Sequence, residues 1–184
     1  MGKVYDAIDG ELRRFIEAQH VFFVATAPSG DGHVNLSPKG LDSLRIVDGH
    51  TILFLDYVGS GAETIAHLRD GGRVVVMVCA FDGAPKIVRL HGEGEAIEPA
   101  HDEYEALRQL FPSAMTARSI IRIHVTRISD SCGFGVPLYE FRGHRGQLPA
   151  WMDRKGADGL VQYQRKHNSR SIDGLPALEW TERD

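Results

Sequence analysis

Apolar positions fall into short runs separated by turn-forming residues. Residues 11–19, ELRRFIEAQ, place Leu12, Phe15 and Ile16 at helical spacing, which predicts a short amphipathic helix. HVFFVATA is a β-branched and aromatic run, ended by the turn cluster PSGDG, and HVNLS reads as the returning strand of a hairpin. In this reading Pro38 ends the returning strand and Lys39 lies just past it on a loop. HTILFLD is another apolar strand, preceded by the Asp48-Gly49 turn signal.

A helix is predicted from about Gly61 to Asp70. The nearly continuous run RVVVMVCAF then suits a strand buried on both faces. KIVRLHGEGEAIE is a long strand in which Gly92 and Gly94 read as a bulge or bend. Pro99 opens a helix through Leu110, with Tyr104, Leu107 and Leu110 on one face. SIIRIHVTRIS alternates, with Ile121, Ile123 and Val125 on one side and Arg122, His124 and Thr126 on the other. Beyond Gly143 the pattern becomes charged and irregular. It predicts one or two helices ending near His167 and a poorly structured tail. The expected division is therefore a strand-rich unit over 1–142 and a helical extension with a tail over 143–184. Six or seven strands with few helices between them predict a mainly β (α+β) fold, a closed antiparallel barrel with flanking helices.

Composition narrows the function. The 184 residues suffice for one sizeable core, and 21 basic against 25 acidic side chains leave a net charge of −4. That balance argues against non-specific binding to nucleic acid or an anionic membrane. No apolar stretch approaches the roughly 18 residues of a spanning helix. The first twenty residues lack the apolar segment of an export signal, and position six is Asp, which breaks a myristoylation pattern. A cytoplasmic location is expected, with Cys79 a buried hydrophobe, Cys132 exposed and both thiols reduced.

Candidate chemistry concentrates in three places. In DYVGSGAETIAHL, residues 56–68, Ser60 and Glu63 have the spacing of a capping box, which makes a well-formed helix start the plain reading. The same start offers unpaired N–H groups, hydroxyls from Ser60 and Thr64, and close approach at Gly59 and Gly61, the ingredients of a phosphate seat. In NLSPKG, Lys39 is either a surface lysine or a cation directed at an anion or an electron-rich ring. Arg89 shares a strand face with Ile87 and His91, and facing inward it would need an anionic partner. The nine histidines show no metal-ligand spacing, and neither a phosphate-binding loop nor a nucleophile elbow occurs, so no metal site is expected.

In order and in text, VFFVATAPSGDGHVNLSPKG, HTILFLDYVGSGAETIAHLRDGGRVVVMVCAF and KIVRLHGEGEAI resemble the pyridoxamine 5′-phosphate oxidase-like family of FMN-binding split β-barrels, over residues 11–130. The tail looks like that of an uncharacterised subgroup. The resemblance implies an antiparallel split barrel and a homodimer with two FMN molecules in clefts at its interface. It places Ser37, Pro38, Lys39 and Gly40 beside the isoalloxazine ring, and Asp56 and Tyr57 along the ribityl chain. It puts Ser60, Gly61 and Thr64 at the phosphate, with Arg89 a weaker candidate. It also implies hydride or electron transfer with a small-molecule substrate.

One departure stands out. Many members carry a basic residue where this chain reads GSGAET, so Lys39, Arg45 or Arg89 must supply the charge, or phosphate affinity is low, or the cofactor is a deazaflavin. Two competing readings remain: a non-catalytic flavin- or haem-binding barrel, with His33, His91 or His124 as axial ligand, and a barrel that dimerises and binds nothing small.

Overall fold

The computed structural model describes residues 2–112 and 115–180. The predicted tail residues 181–184 lie outside it. Helix α1 (Gly10–Glu17) starts where Asp9 accepts the Leu12 N–H at 2.8 Å, and it buries Leu12 and Ile16, four residues apart. Seven strands follow one another across an antiparallel sheet in the order β3 (Asn35–Lys39), β2 (Phe22–Thr26), β6 (Arg73–Cys79), β7 (Ile87–Ile97), β8 (Ala117–Ser131), β5 (Thr51–Tyr57), β4 (Leu44–Ile46); β1 (Val4–Tyr5) adds to β8. The sheet curls into a half-barrel rather than closing by hydrogen bonds, because β3 and β4 remain as two separate edges among the described residues. The barrel is thus split, as the family resemblance implies, and not closed as the strand count alone suggests.

Inside the curl lies one apolar cluster containing Val24, Phe54, Ile65, Val76, Leu90, Ile121 and Ile123. Helix α2 (Glu63–Gly71) plugs it with Ile65 and Leu68, and ends at Gly72, whose positive φ suits a left-handed cap. The bulge expected near Gly92 is present, between His91 and Gly92. A Cβ at Gly92 would stand 2.1 Å from the His124 carbonyl oxygen, so only glycine fits.

Burial on both faces belongs to β5 rather than β6. The short helix α3 (Tyr104–Arg108) covers the outside of β5 and β8 with Tyr104, while Phe111 joins the same outer cluster. On β6, Val74, Val76 and Val78 face the core but Val75 and Met77 are half-exposed. An unbroken apolar run does not reveal which strand a helix covers. α3 is also shorter than predicted, and Leu110 is exposed. Cys79 is buried, its thiol pushed up by burial, and Cys132 is exposed; both are unpaired. Among the described residues no helix is long and apolar enough to cross a membrane.

Helix α4 (Gln147–His167) kinks at Gly156, whose φ of 64° no helix interior allows, so of the one or two helices predicted here two meet at that point. The following segment is ordered, contrary to expectation. It folds back through a Ser171–Gly174 turn and returns Ala177 and Leu178, both buried, to the main cluster, with Trp180 against it. Leu178→Ala is expected to lower unfolding stability in urea by about 2–3 kcal/mol, as at other core leucines. A loss below about 0.5 kcal/mol would place the segment outside the core.

Candidate functional site

β3 does not stop at Pro38. It runs through Lys39, paired residue for residue with β2 from Asn35↔Thr26 to Lys39↔Phe22. Proline is tolerated because β3 is an edge strand, where a missing N–H breaks no inner ladder. The alternation turns Leu36 and Pro38 outward and Asn35, Ser37 and Lys39 inward. This inward row organises the site.

At one end of the row, Lys39 Nζ lies 2.9 Å from Asp56 Oδ1, and Arg118 Nε lies 2.8 Å from Asp56 Oδ2. Asp56 is fully buried and Arg118 nearly so. Burial alone would raise the Asp56 carboxyl. The charges of Lys39 and Arg118, and their hydrogen bonds, outweigh it and hold the group at about 2. Arg118 reaches Asp56 because the β5–β8 register slips between Asp56 and Tyr57, inserting Arg118 between the partners Ala117 and Ser119. Tyr57 faces the other way, into the outer cluster with Tyr104. Of the pair expected along a ribityl chain, Asp56 is therefore consumed by two cations and Tyr57 turns aside. Three buried polar atoms here lack protein partners: Tyr57 Oη, Arg118 Nη1 and Ser119 Oγ.

At the other end, the row meets the start of α2. Ser37 Oγ donates to Asn35 Oδ1, and Asn35 Nδ2 donates to Thr26 Oγ1 and Thr64 Oγ1, each at 3.2 Å. Thr26 Oγ1 is 3.0 Å from Nδ1 of the buried His67. The capping box is not formed: Ala62 is the N-cap and supplies no side-chain bond, and Glu63 Oε1 accepts the Ile172 N–H instead. Ser60 is thereby left lining a cleft of about 520 Å³ with Gly61, Asn35, Arg170 and His33.

A second cleft of about 410 Å³ opens at the Lys39 end, lined by Pro38, Lys39, Gly40, Leu41, His20 and His144. Leu41 and Asp42 both have positive φ, a conformation that bends the chain sharply after β3. The two clefts sit at opposite ends of a five-residue strand, about 14 Å apart by strand rise. Arg89 and Arg45 join neither. Arg89 donates to Ser131 Oγ on the outer face, three strands from Pro38, and Arg45 is turned to Asp42 and the Leu110 carbonyl. His33 lines the first cleft, whereas His91 and His124 stand apart from it on β7 and β8, and no grouping of three or more potential ligands to a metal ion occurs among the described residues.

Asn35, Arg118, His67 and Arg170 escaped the sequence reading. Asn35 was visible in the period-two spacing 35, 37, 39. Arg118 stood one residue before the predicted strand, and Arg170 in a segment read as unstructured.

A family model described as pyridoxamine 5′-phosphate oxidase matches residues 8–132. The chain belongs to this family. It is 36% identical to the pyridoxamine 5′-phosphate oxidase family protein ustO of Aspergillus flavus, over 98% of this chain and 79% of that one. The fold is shared with HupZ of Group A Streptococcus (TM-score 0.55, 24% identity, 66% of this chain and 91% of that one). It is shared as well with a protein of Mesorhizobium loti described as FAD-binding (TM-score 0.50, 19% identity, 71% and 96%). The residues present fit a flat ring bearing an anionic arm. Hydroxyls, an amide and a helix start gather at one cleft, and Gly40 with the half-buried cation of Lys39 lies at the other.

The ion trio sets a pH dependence. The folded carboxyl of Asp56 titrates below its unfolded value of about 3.9, so it stabilises the protein above that pH, and this contribution is lost as pH falls toward about 2. Asp56→Asn should cost roughly 3 kcal/mol at pH 7 by stranding Arg118. It should also flatten stability between about pH 4 and pH 2 relative to the wild type, as read by denaturant unfolding at each pH.

Proposed function

We propose that the protein is a flavin-dependent oxidoreductase acting on a small molecule, with FMN as cofactor. The observation that carries the reading is the inward row Asn35–Ser37–Lys39, which joins a hydroxyl- and amide-lined cleft at a helix start to a cation-bearing cleft at Gly40. The shared fold of the FAD-binding Mesorhizobium loti protein supports it. When bound, a flavin supplies hydride or electron transfer. Ser60 and Gly61 would hold the phosphate arm, with Thr64 and Ser37 fixing Asn35 beside them, and Pro38 and Gly40 would meet the ring. Lys39, locked by Asp56, presents a stationary charge that favours negative charge beside it, with no reorganisation needed.

Titration with FMN should give a saturable change in the flavin's visible absorbance. No change with FMN or FAD would sink the flavin reading. Lys39→Met should shift the bound flavin's midpoint potential negative by roughly 30 mV, a tenfold change in a two-electron equilibrium. An unmoved potential would remove Lys39 from the ring.

A homodimer is part of the proposal. The sheet register aligns Leu36–Ala25–Val75 and Pro38–Phe23–Met77 as adjacent rows on the outer face. Leu36 is 65% exposed, and Phe134, Leu138 and Tyr139 add further uncovered apolar surface on the connection before α4. Surface of this kind marks association sites. Light scattering should report a dimer, and Leu36→Glu should shift it to monomer. A monomeric wild type would overturn this part.

A further inference from the structure

Residues 59–64, GSGAET, carry no basic side chain, and a helix start alone presents only about half a positive charge. The missing charge stands on a distant part of the chain. After α4 the backbone turns along the start of α2 and is fastened to it at several points. Asn168, fully buried, donates its Nδ2 to the Gly59 carbonyl at 3.0 Å. Its Oδ1 has no protein partner, which leaves a buried acceptor beside that loop. The Ile172 N–H holds Glu63 at 3.1 Å, and Asp173 holds both the backbone and the ring of His33, at 2.8 and 2.7 Å. Arg170 is braced by its own bond to the Gly174 carbonyl, 2.8 Å, and by the bridge to Pro176. This lattice sets Arg170 and His167 on the wall of the same cleft as Ser60 and Gly61, in which Glu63 is the single acidic lining residue.

We infer that residues 167–173 form the second wall of an anion subsite, and that Arg170 supplies the cation for the phosphate of FMN that the start of α2 lacks. The inference rests on the flavin reading and deepens it. Asn168 is a positioning residue that holds the Gly59–Gly61 loop against this wall. An arginine suits the role, since its planar fork meets phosphate oxygens two at a time.

The test compares FMN with riboflavin, which lacks the phosphate, by flavin fluorescence on the full chain, with inorganic phosphate as a competitor. The wild type should prefer FMN at least tenfold, and phosphate should compete with FMN but not with riboflavin. Arg170→Ala should weaken FMN about tenfold and leave riboflavin within twofold, with Arg170→Lys recovering part of the loss. Arg170 is exposed, so an unchanged thermal midpoint is expected as the folding control. A wild type that binds neither flavin overturns the flavin reading and this inference together. A wild type that prefers FMN while Arg170→Ala changes nothing, or weakens both flavins equally, leaves the flavin reading standing and overturns the role of Arg170.

Discussion

The buried carboxylate of Asp56 holds the two sides of the open sheet together. Lys39 belongs to β3, the strand at one edge, and Asp56 and Arg118 to β5 and β8, the second and third strands from the other edge. Among the described residues no strand pairing crosses the split, so this ion trio makes the connection that a closed barrel would make by pairing. Removing two cations and an anion from water is costly. The arrangement persists because each carboxylate oxygen has its own charged donor at 2.8–2.9 Å. Everything proposed for the site depends on β3 presenting its inward row at a fixed distance from β5 and α2, and this contact sets that distance.

Most of the frame was legible because it is written in local signals. The strands of the β2–β3 and β6–β7 hairpins follow from apolar or alternating runs bounded by glycine, proline and aspartate, and α1 from the spacing of Leu12, Phe15 and Ile16. What was missed depends on distant partners. β1 and β4 have two and three residues and no period of their own. The burial of β5 on both faces depends on α3. The segment after α4 shows no regular period, because Leu175, Ala177, Leu178 and Trp180 follow a turn at Ser171–Gly174 and act only where that turn lands them.

The site was half legible for the same reason. Ser37, Lys39, Ser60, Gly61 and Thr64 stand out by residue type and position, and the structure brings them to one strand and the helix start it faces. Asp56 and Tyr57 are neighbours in sequence but point to opposite faces of a strand, so they cannot share a task. Arg118 is aimed by a bulge, and a bulge leaves no mark in composition. Arg89 sits where its strand face predicts, but that face is the half-exposed outer one.

The return of residues 177 and 178 to the core also fixes an order of events. The hairpins can pair as they leave the ribosome, since each joins neighbours in sequence. The segment that fastens Gly59 and adds to the core is made after all the strands, and its contacts span more than a hundred residues. Contacts of such separation form late. The cleft at α2 can therefore gain its second wall only after every strand of the sheet has been made.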